Sequence, residues 1–555
     1  MCRCRPSALF PVLVGLSAGL ATACVSSPVT PAFEADRYAG HVRVLASDDF
    51  EGRRPATAGE EKTIAYLEEE FRKAGLQPGA GGSFRQPVPF VELATRPDAV
   101  LRVSGAGGDT LLEYADDAVY WTKRVVPEVV LTDSEMVFVG YGIVEPAMGW
   151  NDYAGIDMHG KTAVILVNDP GFATGDPELF NGRAMTYHGR WTYKYEEAAR
   201  QGAAGAIIVH EEAPAAYPWE VLRNGAARPQ LAIDTSAGDA SLVGVEGWMT
   251  RDAALRVFRA ASLDYDTAKA AAAKREFRPM PLPLKATTRV ANDIRRIKSN
   301  NVVGILPGTK RPDEYVIFTA HWDHLGKAAE GSGDTVFNGA VDNATGTAAL
   351  IELARAFGEV RPAPERSVVF VGFTGEEYGL LGSEYFANHP VVPLAQIVGG
   401  LNMDGMAVNG RTRDVTVVGY GASELEDFLA AAAADQGRVL KPESTPEKGS
   451  YYRSDHFTLA RKGVPMLYAR AGIDSLEHGP EWGLQKNTDY VSHRYHKPSD
   501  EFDPNWDLSG AIEDLELYFD VGLMLAMERG FPNWRPGNEF RAIREQSRAG
   551  GAASQ

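Results

Sequence analysis

The sequence predicts an α/β protein with a mixed, mostly parallel central sheet flanked by helices, and a second, β-rich α/β module inserted into it. Three observations predict this. Short β-branched runs at 315–318, 367–373 and 397–401 each end in acidic or imidazole side chains: His321 and Asp323, then Glu376 and Glu377, then Asp404. Between the first two runs, Leu350, Leu353, Ala354 and Phe357 repeat at i, i+3, i+4, i+7, the period of a buried helix face. A strand–helix–strand alternation implies parallel pairing, with ligands bound beyond the carboxyl ends of the strands. Further β runs at 136–139, 162–167 and 206–209 lie far upstream, which places a separate module inside the chain.

The elements follow in order. Residues 1–23 carry early arginines, an apolar stretch at 9–20 and small residues before Cys24, the layout of an export signal and too short for a membrane span. Cys24 after Ala21-Thr22-Ala23 resembles a bacterial lipoprotein cleavage box, with Leu20 one place early; a lipid there implies membrane attachment, and cleavage without lipid is the alternative. The product is exported in either case, periplasmic, membrane-anchored or secreted. Removing Cys2 and Cys4 of the three cysteines leaves no intramolecular disulfide. Residues 24–33 read as a polar tether and 34–130 as the first part of the main domain. In that part Thr57-Ala58-Gly59-Glu60 is a capping box, and Ile64, Leu67 and Phe71 form one helical face before Gly75. The insert spans 131–281 and the main domain resumes over 282–531, beginning with an alternating strand at 284–298. A small-residue loop is expected at 327–339, a helix at 423–436, a strand at 464–469, a long loop at 471–495, a last helix at 508–527, and a polar, disordered tail at 532–555.

Composition bounds the function. With 555 residues, 44% hydrophobic and 23% charged, the chain has ample core for more than one domain, and its net charge of −18 argues against nucleic acid as a partner. Carboxylates gathered at strand ends repel one another and lose hydration, so their convergence calls for a cation. Oxygen and nitrogen donors without cysteine favour zinc, cobalt or manganese. His321 is one ligand, Asp342 at the start of the following helix is placed to bridge two ions, and Glu377 and Asp404 complete opposite sides, leaving a place for a distant histidine. Taken singly, Asp342 reads as a helix cap and Glu376–Glu377 as an acidic helix start. Only their joint occurrence at successive strand ends points to metal.

The order His-x-Asp at His321, Asp342-Asn343, Glu376-Glu377, Asn402-Met403-Asp404-Gly405, Ser454-Asp455-His456-Phe457 and Tyr495-His496-Lys497-Pro498-Ser499-Asp500 resembles the di-zinc aminopeptidases of metallopeptidase family twenty-eight. The resemblance runs from about Leu45 to about Glu528 and implies the zinc exopeptidase fold. It implies two zinc ions per chain, replaceable by cobalt or manganese: His321 and Asp404 hold one, Glu377 and His496 the other, and Asp342 bridges them. Glu376 is implied as general base, Asp323 as the carboxylate orienting His321, and His456 as a group beside the substrate carbonyl. Peptides with a free N-terminus are the implied substrates. His493 competes with His496 for the last ligand place, His324 is expected to have a structural or pocket role, and His159, His188 and His210 are expected to be surface or packing histidines. The insert elements at 136–143 and 160–169, with 198–211, resemble a protease-associated domain, read as a lid or as a spacer. A glutaminyl cyclase with one zinc, a glutamate-releasing carboxypeptidase and a noncatalytic receptor-like module are the alternatives.

Overall fold

A computed structural model describes residues 29–235, 242–328 and 333–552. The expected export signal, Cys24 and the first half of the tether lie outside the described residues. Val29, in the middle of the tether, bridges to Arg361.

The central sheet runs in the order Gln77–Pro78, the end of Met280–Leu306, Arg366–Phe373, Arg311–His321, Ile397–Asn402, Met466–Ala471, Asp414–Val417 and Val439–Pro442. The four strands from Arg366–Phe373 to Met466–Ala471 are parallel. Their side chains alternate between two cores, as strand geometry requires. Val316, Phe318, Val368 and Phe370 face the helices Ala35–Leu45, Ala58–Lys73, Gly346–Glu359 and Ser509–Met527. Ile317, Val369, Val371 and Phe373 face Leu381–Asn388 and His456–Ala460. Burial on both faces explains why these strands read as nearly unbroken apolar runs. Their carboxyl ends converge on one edge.

The strand Met280–Leu306 links the two parts of the molecule. Its last residues belong to the central sheet, while its middle pairs with Arg85–Pro97 and its first half with Glu128–Phe138. Beyond it lies a second parallel array, Glu128–Phe138, Thr162–Leu166, Gly205–His210 and Val245–Thr250, edged by antiparallel Ala118–Trp121.

Several expectations change. The inserted module begins before 131: Leu101, Val103, Leu112, Ala118 and Tyr120 share a core with Phe138, Val164 and Ile207. Those early strands are short hairpins with mostly exposed faces, which gave no distinct apolar signal. The loop expected at 327–339 contains a small hairpin, Gly326–Lys327 with Val336–Phe337. The loop expected at 471–495 contains the helix Gly479–His493, none of whose residues is buried, so no apolar period marked it. The tail is not disordered over its described part. Trp534 is fully buried and donates to the Gly463 carbonyl at 3.0 Å, and the helix Arg541–Ala552 sends the buried Arg544 to the Ile397 carbonyl at 2.8 Å. Polar composition hid two aromatic anchors, Trp534 and Phe540.

Candidate metal centre

Each side chain at the edge is delivered by a strand end or by the turn that follows it. His321 is the last residue of Arg311–His321, Glu376 and Glu377 follow Arg366–Phe373, and Asp404 follows Ile397–Asn402. Asp342 lies in the irregular turn Ala340–Thr345, with extended dihedrals and a cis peptide to Asn343. It does not cap the next helix. Asn343 does, its Oδ1 accepting from Gly346 N and from Gly405 N, each at 3.0 Å, which leaves the Asp342 carboxylate free to face the pocket.

The structure brings five of the expected residues together. His321 Nε2 lies 3.3 Å from Asp342 Oδ1 and 3.4 Å from Asp404 Oδ1. His496 Nε2 lies 3.3 Å from Asp342 Oδ2 and 3.0 Å from Glu377 Oε2. Asp342 therefore presents one oxygen to each imidazole. His493 does not enter the cluster; its Nδ1 sits 3.1 Å from the Asp489 carbonyl within its own helix.

The donor set fits zinc. Ligand atoms about 2.0–2.1 Å from a tetrahedral ion stand about 3.3 Å from each other, and the four nitrogen–oxygen separations here are 3.0 to 3.4 Å. Among the described residues, donor atoms of His321, Asp342 and Glu377 lie within 4.8 Å of one another. The electrostatics agree. Burial opposes charge on His321, yet Glu376, Asp342 and Asp404 hold its pKa well above the usual range. Burial likewise opposes charge on His496, and Glu377 and Asp342 push it up to about 10. The cluster demands positive charge strongly enough to overcome desolvation.

Supporting contacts differ in part from expectation. Asp323 is buried, but its carboxylate oxygen is 3.9 Å from His321 Nδ1, which is nearer the Asp323 main-chain carbonyl at 3.2 Å. The carboxylate instead accepts from Glu376 N at 3.1 Å and so fixes the Glu376–Glu377 turn. Burial, joined by Asp404 and Glu377, raises the Glu376 pKa well above its ordinary value, while His321 works against the rise.

The expectation for His456 is corrected. Its ring is fully buried between Tyr451 and Tyr468, at centroid distances of 4.7 and 4.9 Å, which makes it a packing group. Burial lowers its pKa to about 3. Direct contact with the pocket belongs instead to Tyr468, whose hydroxyl is 3.4 Å from the Asp404 carbonyl.

Three residues were not assigned to the site from sequence. His324 is fully buried and its Nδ1 hydrogen-bonds Glu377 Oε1. Asp500 accepts from the amides of Val341 and Asp342, both at 3.1 Å, and from the Tyr490 hydroxyl at 3.2 Å, setting the turn that carries Asp342. Arg53, 1% exposed, donates to the carbonyls of Trp322 at 2.9 Å, Leu45 at 2.7 Å, Asn338 at 2.6 Å and Gly339 at 2.8 Å. It ties the loops on both sides of the cluster to the N-terminal segment. Gly52 beside it has φ +64°, and a Cβ there would lie 2.5 Å from the Gly326 carbonyl oxygen. The final Asp of the Y-H-K-P-S-D match was the sequence signal for Asp500 and nearness to His321 the signal for His324, while Arg53 had none.

Comparison with known proteins identifies the segment. The profile of Peptidase family M28 matches residues 301–520. The aminopeptidase NAALADL1 of Rattus norvegicus is 34% identical over 110 residues, 19% of this chain and 13% of that protein. A probable zinc metalloprotease of Pyrenophora teres f. teres is 34% identical over 121 residues, covering 22% and 25%. A probable glutamate carboxypeptidase of Arthroderma benhamiae is 31% identical over 215 residues, covering 36% and 26%. The matched part thus spans about a quarter or less of these relatives' own length. Among solved structures, an aminopeptidase from Aneurinibacillus sp. strain AM-1 superposes with a TM-score of 0.49 at 20% identity, covering 90% of this chain and 95% of that one. Residues 301–520, which contain all five clustered side chains, match the profile of Peptidase family M28.

Proposed function

We propose that the chain is a zinc-dependent aminopeptidase that removes N-terminal residues from peptides. The observation that carries this reading is the position of Asp342, one oxygen 3.3 Å from His321 and the other 3.3 Å from His496, inside a peptidase domain. His321 and Asp404 would hold one zinc, Glu377 and His496 a second, with Asp342 shared. Such a pair supplies Lewis acidity and a water acidic enough to ionise near neutral pH.

The chain's own residues do the rest. Glu376, anchored through its amide to Asp323, takes the proton of the attacking water and returns it to the leaving amine, base and then acid. A carboxyl whose pKa is raised by burial suits both halves of that exchange. His324 holds Glu377, and Asp500 and Arg53 hold the turns on either side, so the reacting groups are fixed before substrate arrives.

A second reading, a glutamate-releasing carboxypeptidase, is favoured by one feature. Arg470 stacks over Tyr468 at 4.8 Å and feels the charge of Asp404, a cation at the pocket suited to a substrate carboxylate. Assays of aminoacyl anilides and of N-acylated dipeptides ending in glutamate, each with and without chelator, separate the two. Chelator-sensitive cleavage of the anilides alone supports the aminopeptidase, and cleavage of the blocked peptides alone overturns it.

We also infer that the inserted module is a protease-associated domain. It rests on the catalytic part through Tyr187, whose ring centroid is 5.0 Å from that of Phe457, and this placement supports a lid over the site more than a free spacer. Export through residues 1–23 and lipid attachment at Cys24 are proposed from the sequence alone. Fatty-acid labelling lost in Cys24→Ser supports the anchor, and no label on the wild type overturns it.

A further inference from the structure

A cavity of about 610 Å³ lies in the inserted module, away from the metal cluster. Leu166, His210 and Thr250 line it, and they are the last residues of the parallel strands Thr162–Leu166, Gly205–His210 and Val245–Thr250. The crevice beyond the carboxyl ends of parallel strands is where α/β folds bind small molecules, and this volume suits one.

Its lining specifies the ligand. Tyr141, Phe172 and Trp219 give the lining aromatic surface. The lining also carries both signs of charge: Glu211, Glu212 and Asp252 against Arg251 and Lys269. Glu211 is the centre of this group. Arg251 Nε is 3.3 Å from it, Lys269 Nζ hydrogen-bonds it, and the Tyr265 hydroxyl donates to it at 3.3 Å. Arg251 also reaches Asp266 at 2.9 Å. An anion entering here meets three carboxylates and a cation meets two cations. A zwitterion is the ligand that aligns with both without burying net charge. Arg251 and Lys269 are 43% and 35% exposed, free enough to turn from Glu211 toward a bound carboxylate.

We propose that this cavity binds a free α-amino acid with an apolar side chain: its ammonium against Glu211 and Glu212, its carboxylate against Lys269 and Arg251, its side chain on Tyr141, Phe172 and Trp219. The cavity also adjoins the contact between the two parts of the molecule. The short helix Glu212–Ala215, whose residues Glu212, Ala213 and Pro214 line the cavity, packs on the catalytic-side turn Pro446–Lys448. Binding here stands whether or not the chain is an aminopeptidase.

Equilibrium dialysis of radiolabelled L-phenylalanine against the full-length chain tests the proposal. A His321→Ala background removes binding at the metal cluster from the measurement. In that background, saturable binding is expected, weakened about tenfold or more by Lys269→Glu, which reverses one charged contact, and by Ala213→Trp, which fills the mouth from an exposed position. N-acetylphenylalanine and phenylalaninamide, each lacking one charge, are expected to compete at least about tenfold more weakly. No saturable binding to His321→Ala overturns the proposal, as does binding that both cavity variants leave unchanged or equal competition by the two blocked analogues. Aminoacyl-anilide turnover of Lys269→Glu in the otherwise wild-type chain is expected to stay within about twofold of wild type. A loss beyond tenfold, at unchanged circular dichroism, would place this residue in the reaction and overturn the assignment of a separate site.

Discussion

Replacing Arg53 by leucine shortens the side chain and removes all its donors. Four main-chain carbonyls, of Leu45, Trp322, Asn338 and Gly339, then lose their partner in the interior. A buried acceptor left without a donor costs about 1–3 kcal/mol, and at the low end, where water enters and each oxygen keeps a second lone pair, the sum is about 4 kcal/mol. For a cooperative unit on the order of 250 residues, unfolding with about 2.1 cal/mol/K per residue, that loss lowers Tm by roughly 8 °C. The damage is directed. Trp322 lies between His321 and Asp323, and Gly339 precedes the turn of Asp342, so zinc affinity is expected to fall about 10- to 100-fold, as when groups that orient metal ligands are removed. The assay is calorimetric melting with zinc titration of the apo chain, run for wild type, Arg53→Leu and Arg53→Lys, with lysine restoring part of the loss. An Arg53→Leu chain that melts within about 1 °C of wild type, or that melts early yet binds zinc identically, refutes the reasoning.

Four further outcomes are expected. Glu376→Gln is expected to keep zinc content and Tm while turnover falls about 10²- to 10⁴-fold, and undiminished turnover removes Glu376 from proton transfer. His456→Phe is expected to retain turnover within about threefold, since the ring is a buried packing group; a loss beyond tenfold at unchanged Tm restores a direct role. Burial lowers the folded pKa of His456 from 6.5 to about 3, so the unfolded chain takes up the proton first, and stability present above about 6.5 is lost as pH falls toward 3. Chemical denaturation is expected to show His456→Phe losing less stability than wild type over that range, by up to about 1.4 kcal/mol per pH unit, and parallel profiles would contradict a neutral buried ring. Glu352 behaves in the opposite sense: burial raises it, but hydrogen bonds from His41, Arg37 and Arg355 hold it down to about 2. Its contribution is present above the ordinary 4.5 and lost as pH falls toward 2, so Glu352→Gln should cost on the order of 3 kcal/mol near neutral pH and progressively less below 4.5.

Much of this was legible in the residues. The strands that carry the cluster are buried on both faces, so their composition announced them, and each ended on the donor that the fold presents. Asp342, Glu377, Asp404 and His496 come from four separate segments, and their order along the chain marked them as a set. What was not legible lies in atoms without sequence character. Arg53 works through main-chain carbonyls, which no residue pattern records. The orientation of His321 rests on the carbonyl of Asp323 where a carboxylate was expected. His456 sits in a segment matching a catalytic pattern, yet Tyr451 and Tyr468 close over it, a consequence of side-chain packing that the motif does not record. The Gly479–His493 helix buries nothing and so had no apolar period to read. The tail was misread because its two aromatic anchors are diluted by charged residues.

The central claim is that the carboxylates and imidazoles at the strand ends hold two ions across Asp342. Anomalous diffraction at the zinc edge, on crystals of the zinc-loaded full-length chain, tests it most directly. The account predicts two peaks, one bounded by His321, Asp342 and Asp404 and the other by His496, Asp342 and Glu377. A single peak that excludes Asp342, or peaks only elsewhere in the molecule, would contradict it.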